Sequence, residues 1–529
     1  MVRVHRWAGN GLMPLGNPYR ALLGAAGGGD VGWIMIQQNQ EYAPSTWFAS
    51  QQNNNEGGSS VTVGTDGHIY AVTGADFLGM HITKYTTDGV QVWQRYMQSV
   101  RGSYSQNVHL IQSVGNIKVD SAHNVYVNVS FLWSTDTYNW SSYPSITKYD
   151  SSGTHQYTRI YTTNGTTAPA VIGSVAGKAW GNTGNLAIDS SDNVIFGGPA
   201  QRASATGDSF IAKVSNTGAN SWSPGMVGYA NEGSYWYGQA TRSIGVDSSD
   251  NIYAGGISKI YGAITKARLS KFDSSGVEQW QRSYEGAGQY AISNGTADPT
   301  QSGGVLSRNP GLYTNAGGDT YMCWSSGRFL KINNAGVEQW NQNLATKWDI
   351  FDISEGNDGW LYFVAQDTTY TKTAARPSNR TGAVGRLNAA TGALGWINKL
   401  EGYRTSGSTQ QANLNGVEFT VDGVIVSGYT SQSGSYGDAL IIAKLPLDGT
   451  GTGTWSTSIT DTNRTVAYTM DYTALVESAL GAQSNTTTTT TYTALTAGTG
   501  GSLMANATWA SSGTALSGTG TNVNSVTNI

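Results

Sequence analysis

The chain has 529 residues, only 12% of them charged, and a formal net charge of −4. That balance gives no electrostatic footprint for nucleic acid, and a lone cysteine, Cys323, excludes an intramolecular disulfide framework. No apolar stretch approaches the roughly 18 residues of a membrane helix, so no membrane insertion is expected.

Residues 1–30 read as an extended arm. Arg3, His5, Arg6 and Trp7 come early, but neither a continuous apolar run nor a small-residue cleavage site follows, so nothing here reads as a signal peptide. From there a tryptophan returns about every 60 residues, four positions after a glycine: Gly29/Trp33, Gly89/Trp93, Gly218/Trp222, Gly276/Trp280, Gly336/Trp340, Gly392/Trp396 and Gly451/Trp455, with Gly153/Tyr157 filling the missing beat. A fixed period of that size marks a repeat protein.

The repeat is clearest in the fourth unit, where Ser243–Val246, Ile252–Gly255, Ala267–Phe272 and Val277–Tyr284 form four short alternating runs, here named A to D. The turns Asp247-Ser-Ser-Asp-Asn251 and Asp273-Ser-Ser-Gly276 separate A from B and C from D. Asp, Asn and Ser bond their own backbone and Gly supplies positive φ, so these are tight hairpins. A four-stranded antiparallel sheet of this kind cannot bury both faces alone, but a ring of such sheets can.

Seven A-B-C sets start near Val61, Asn116, Asn185, Ser243, Gly304, Phe351 and Gly416, against eight D-type runs. Either Val31–Gln37 or Trp455–Thr460 therefore completes the set begun at Gly416, and the other leads elsewhere. Residues 461–529 turn to Thr, Ser, Gly, Asn and Ala, with an unbroken Thr run at 486–491. Such a tail has too little apolar surface to offset its ordering entropy by itself. It is expected to be dispensable for folding, and the alternation of Val466–Leu475 suits it to adding strands to neighbouring chains.

In the A-B-C-D order, the A–B and C–D turns share one face. The long insertions fall on the other: Phe131–Ser145, Pro199–Asp208, Ser258–Thr265 and Gln366–Thr381 as B–C loops, and Gln98–Ser113, Tyr161–Gly181, Gly225–Thr241 and Glu285–Ser302 as D–A loops. Variable loops on a rigid scaffold are where function tends to sit. The candidate ligand-binding residues are Trp133, Trp140, Tyr143, Tyr235, Trp236, Tyr237 and Tyr290, with Tyr284 nearby. Exposed rings beside Asn and Ser suit glycan stacking or a protein contact; the alternative is that they pack the loops onto the blade tops.

Catalytic and metal-binding constellations are not found. His5, His68, His81, His109, His123 and His155 show no paired ligand spacing, and His68 and His123 stand where other units have turn residues. Ser431-Gln-Ser-Gly-Ser-Tyr-Gly437 lacks the order of a nucleophile elbow. Asp136, Glu232, Glu285, Asp298 and Glu401 lie on the loop face, but nothing marks two of them as a glycosidase pair. The recurring Asp-Ser-Ser-Asp-Asn is poorer in carboxylates than a dedicated calcium loop and reads as an Asx turn. Cys323, inside Tyr321-Met-Cys-Trp324, reads as a buried strand thiol.

The units, read as Val-Asp-x-x-x-Asn-x-Tyr-x-x-Gly followed by Lys-(Phe/Leu)-Asp-x-x-Gly-x-x-x-Trp, resemble the SBBP family of β-propeller repeats. The match is good over Asn116–Tyr157, Asn185–Trp222 and Ser243–Trp280 and weaker in the fifth and sixth units, where Arg386 replaces the Lys. The resemblance implies a propeller and brings no catalytic residues with it. Propellers of this Gly/Ser/Thr/Asn-rich kind also look similar to structural proteins of marine tailed phages.

The expected protein is therefore all-β: a β-propeller of about seven four-stranded blades over 31–460, with an anchoring arm at 1–30 and a second arm at 461–529. Its expected role is a non-enzymatic virion structural protein, present in many copies, without cofactor, metal or nucleic acid. The arms would hold other virion proteins and the loop face a host surface glycan. Alternatives are an exported bacterial surface adhesion propeller and a glycan-degrading tailspike.

Overall fold

In the computed structural model, the residues described are 20–24, 32–37, 59–75, 79–98, 108–134, 140–160, 186–201, 207–222, 225–226, 240–258, 266–284, 311–324, 327–344, 348–367, 381–404, 409–431, 439–450, 452–460, 465–474, 481–482 and 487–488. Every regular element among them is a strand. Blade 1 is Ser59–Val63, Ile69–Ala75, Gly79–Tyr85 and Gln91–Gln98, and blade 2 is Val108–Val119, Val125–Ser134, Trp140–Tyr149 and His155–Ile160. Blade 3 is Leu186–Ile188, Val194–Gln201, Gly207–Val214 and Asn220–Trp222, extended by Gly225–Met226 on the same C strand. Blade 4 is Ala240–Val246, Ile252–Ser258, Lys266–Phe272 and Glu278–Tyr284, and blade 5 is Gly311–Thr314, Thr320–Trp324, Arg328–Ile332 and Glu338–Asn343. Blade 6 is Trp348–Glu355, Trp360–Asp367, Gly382–Asn388 and Leu394–Arg404.

Blade 7 settles the surplus strand. Its A, B and C strands are Thr409–Thr420, Gly423–Ser431 and Ala439–Leu445, and its D strand is Trp33–Gln37 from the other end of the chain, paired in antiparallel register from Trp33↔Lys444 to Gln37↔Leu440. Each A strand touches the A strands of both neighbouring blades, blade 7 meeting blade 1, so the seven sheets close into a ring. Closure by a strand from the N-terminal end ties the two ends of the repeat array into one sheet and covers an edge that would otherwise be exposed.

The apolar faces of adjacent blades meet in separate clusters around the ring, such as Tyr253, Leu269, Leu312, Met322 and Leu330 between blades 4 and 5. Cys323 is fully buried in the next cluster, between blades 5 and 6, beside Gly311, and burial pushes its thiol well above the ordinary range. The fifth set, placed near Gly304 from sequence, has its described A strand at Gly311–Thr314.

Both arms are partly built into the ring. Arg20–Gly24 lies outside Trp33–Gln37 as a fifth strand of blade 7. Trp455, the other candidate for closure, sits on Gly453–Thr460, which pairs with Thr465–Ala474; that second strand lies along strand D of blade 6 from Asn398↔Ala474 to Arg404↔Tyr468. Met470 and Tyr472 are fully buried in the core shared by blades 6 and 7, beside Leu400, Val384 and Ile441. Those two side chains belong to the ring's own core, so the expectation that everything after Thr460 is dispensable for folding meets its test at this strand.

Candidate functional site

The residues that repeat most faithfully are the chemistry-bearing ones, and all of them converge on the junctions between blades. In blade 4 the Asp247 carboxylate accepts the backbone N–H groups of Ser249 and Asn251, the Asn251 amide, and the Tyr253 hydroxyl at 3.1 Å. This closes an Asx turn in which Asp250 sits at φ 61°. Asp120 and Asp189 hold the same turn in blades 2 and 3. His123 takes the positive-φ place in blade 2, as a turn residue should, and the His68 N–H is likewise bound by Asp66.

These turns also link one blade to the next. The Ser121 N–H and hydroxyl donate to Asp192, and those of Ser190 to Asp250, at 2.7–2.9 Å.

A second ring of contacts explains the Gly/Trp beat. Five strand D indoles donate to a carbonyl of the next blade's C–D turn: Trp33 to Thr87, Trp93 to Ser151, Trp280 to Asn334, Trp340 to Ala389 and Trp396 to Leu447, all at 3.0–3.2 Å. Tyr157 does the same to Asn216 through its hydroxyl. The next blade's turn glycine lies against the ring: a Cβ on Gly153 would come within 2.9 Å of Trp93, on Gly392 within 2.9 Å of Trp340, and on Gly449 within 2.6 Å of Trp396.

The strand C lysines reach the same carbonyls, as Lys148 does to Asn216 and Lys271 to Asn334, while lying over the Tyr126 and Tyr253 rings. Arg386 donates to Leu447, so its departure from the repeat preserves the contact. The consensus is thus a set of blade-to-blade fasteners on the turn face, with its polar atoms already engaged by protein.

Blade 1 gives these junctions a pH signature. Burial penalises the Asp66 carboxylate, but donors from Lys84, the His68 N–H and Tyr70 outweigh it and hold its pKa at about 2. His81, fully buried in strand C, is held down to about 3 by burial. The unfolded chain binds a proton at this histidine below 6.5 and the native ring does not until about 3, so stability falls as pH drops through that window, by up to about 1.4 kcal/mol per pH unit. His81→Ile, copying Ile441 at the equivalent place in blade 7, is expected to flatten this slope in urea melts between pH 7 and 4; an unchanged slope would assign it to other groups.

Of the predicted ligand residues, Trp133, Trp140 and Tyr143 fall on described strands at the opposite end of blade 2. Several of the insertions expected there are shorter than the sequence suggested: in the expected Pro199–Asp208 loop strand B of blade 3 runs to Gln201 and strand C starts at Gly207, and Phe131–Ser145 is not a loop, because strand B of blade 2 runs on to Ser134 and strand C starts at Trp140. The ladder pairs Phe131↔Tyr143, Trp133↔Ser141 and Ser134↔Trp140 on one side of strand B and Val108↔Ser134 to Ile111↔Phe131 on the other, so Trp133, Trp140 and Tyr143 stand on paired strands of the blade 2 sheet. Aromatic and branched residues favour pairing, which extends the hairpin through them. Strand A of blade 2 likewise begins at Val108, inside the expected Gln98–Ser113 loop.

Tyr235, Trp236, Tyr237 and Tyr290 lie outside the described residues, as do Asp136, Glu232, Glu285 and Asp298. Tyr284 is a fully buried strand D residue of the core between blades 4 and 5, not part of an exposed cluster. Glu401 accepts the Thr381 hydroxyl at 3.1 Å and pairs with Lys399 at 3.7 Å. Among the described residues no group of three or more His, Cys, Asp or Glu is placed to hold a metal ion, and no helix is long and apolar enough to cross a membrane.

No family model matches the chain, and no curated protein matches it in sequence. Solved structures similar to it include BamB from Moraxella catarrhalis, at 12% identity and TM-score 0.34, covering 72% of this chain and 95% of that one. YCF48 bound to D1 peptide is similar at 8% identity and TM-score 0.35 over 74% and 92%. An ulvan lyase of a new polysaccharide lyase family is similar at 10% identity and TM-score 0.35 over 72% and 94%. Likenesses at this level say nothing of role, and the seven-bladed propeller rests on the strand order and ring closure of the chain itself.

Proposed function

We propose that this propeller is a non-enzymatic structural protein of a phage virion whose loop face is its recognition surface. One observation carries the reading: the repeated polar residues are consumed in fastening blade to blade, while the connections that vary in length all leave from the opposite face. A scaffold with uniform fasteners on one face and connections of variable length on the other suits binding rather than turnover. The SBBP-like motifs and the Gly/Ser/Thr/Asn-rich composition favour the virion setting, in many copies. Host surface glycan or a neighbouring virion protein is then the partner of the loop face, and the arms supply assembly contacts wherever they leave the ring.

The test is adsorption. Replacing Trp140 and Trp236 with Ala is expected to weaken binding to host cells or their polysaccharide at unchanged melting temperature, each ring contributing about 1–2 kcal/mol through stacking and burial. A lower melting temperature with unaltered adsorption would make these rings loop packing and remove the recognition reading. Release of new reducing ends from the polysaccharide would instead establish a glycan-degrading tailspike.

A further inference from the structure

One level of the ring departs from the repeat. Two residues before the A–B turn, each strand A sets one residue opposite a fixed position of strand B, such as Tyr126 in blade 2, Tyr321 in blade 5 and Ile425 in blade 7. Blades 1, 3, 4 and 6 place small residues there: Thr62, Ala187, Gly245 and Ser354. Blades 2, 5 and 7 place Lys118, Tyr313 and Glu418 instead. The A strands touch one another around the ring and so enclose its axial channel, which puts these positions around that channel at one height, close to the turn face.

The three long side chains come together although their blades are not neighbours. The Lys118 ammonium lies 3.6 Å from the Glu418 carboxylate, reaching past blade 1, whose own residue at this level is the buried Thr62. Tyr313 senses Glu418 from the other side, past blade 6: its pKa is pushed up to about 12, first by burial and then by the charges of Glu418 and Glu355. Its ring is steadied by Tyr321, with centroids 6.5 Å apart.

The fasteners spend their polar atoms on protein, as Asp247, Lys271 and Trp280 do. The channel pair does not. Its 3.6 Å separation is longer than an N–H···O hydrogen bond, so the two groups attract by charge while the three donors of the ammonium and the acceptor sites of the carboxylate stay available. Both side chains are open to solvent, 33% exposed for Lys118 and 24% for Glu418, and such a pair adds little to stability. An anion placed between them would meet Glu418, and a cation would meet Lys118. A hydroxyl accepts from the one and donates to the other. The small residues of the remaining blades leave room around it.

We propose that Lys118, Glu418 and Tyr313 form a binding site for a neutral polyhydroxylated ligand, a sugar unit, at the turn end of the axial channel, one of its hydroxyls bridging ammonium and carboxylate. The site lies apart from the loop face and does not depend on the recognition reading of that face.

Saturation-transfer NMR on the full chain with D-glucose, D-galactose and D-mannose tests it, with acetate and methylammonium as charged controls. At least one of the sugars is expected to bind with a millimolar Kd. Lys118→Met and Glu418→Gln should each weaken that binding about tenfold, the effect of removing a charged hydrogen-bond partner, at an unchanged melting temperature. Tyr313→Phe should weaken it less, and Trp140→Ala should leave it unaltered. Absence of transfer to all three sugars, or equal binding by Lys118→Met and Glu418→Gln, would overturn the proposal. So would preferential binding of acetate or methylammonium, which would make this an ion site. Loss of sugar binding in Trp140→Ala, with the channel variants unaffected, would place the sugar on the loop face instead and remove the channel site.

Discussion

Ending the chain after Thr460 is expected to destabilise the propeller by about 5–10 kcal/mol, whereas ending it after Thr488 leaves the unfolding midpoint of the ring within error. The difference lies in one strand. Thr465–Ala474 places Met470 and Tyr472, both fully buried, against Leu400, Val384 and Ile441 in the core joining blades 6 and 7. Truncating a buried methionine to Ala costs about 2–5 kcal/mol and a buried aromatic about 3–5 kcal/mol, and deletion removes both at once. It also strips the pairing partner from seven residues of strand D, Asn398 to Arg404, leaving an open edge beside newly exposed apolar surface. Urea melts followed by circular dichroism compare the two truncations with Met470→Ala and Tyr472→Ala. An unshifted midpoint after truncation at Thr460 would mean that this strand is an appendage, as composition alone suggests.

That case shows where the sequence is informative and where it is not. The blade period is legible because each unit must repeat the same fasteners: Asp247, Tyr253, Lys271 and Trp280 recur as a group since each contacts either its own turn or the next blade. A local rule, an Asp opening a turn or a Gly at positive φ, is visible in a few residues. Which terminal strand closes the ring is not a local property. Trp33–Gln37 and Gly453–Thr460 both look like D strands, and only pairing across some 400 residues of chain separates them.

The tail's share in the core is hidden for a related reason. Met470 and Tyr472 alternate with Thr and Asp in a segment whose average composition is poor in apolar groups, and averages hide two well-placed side chains. Of the candidate site, Trp133, Trp140 and Tyr143 are legible as an aromatic cluster, but their placement on paired strands is not, because turn and loop signals mark where a hairpin can bend and not how far its ladder runs.

The packing of a turn glycine on the preceding blade's tryptophan has a sharper physical test, because Gly359 in the A–B turn of blade 6 and Gly449 in the C–D turn of blade 7 share one backbone requirement and differ in their surroundings. Gly359 and Gly449 adopt φ of 83° and 77°. A Cβ on Gly359 would meet nothing within 4 Å, whereas one on Gly449 would lie 2.6 Å from the Trp396 ring of the preceding blade. Gly359→Ala is therefore expected to cost only the left-handed backbone strain of an L-residue, about 1–2 kcal/mol. Gly449→Ala adds displacement of a ring whose N–H is bonded to Leu447 and whose neighbour Asn398 donates to the Gly449 carbonyl at 2.8 Å. Forcing apart such a contact adds about 1–3 kcal/mol, for a total of about 2–5 kcal/mol. The excess should vanish in a Trp396→Ala background, where the clash has no partner, so the double-mutant cycle reads the fastener directly. If Gly449→Ala costs no more than Gly359→Ala, or if its excess survives removal of the ring, the glycine is kept for its backbone alone and the Gly/Trp period is not an interblade contact.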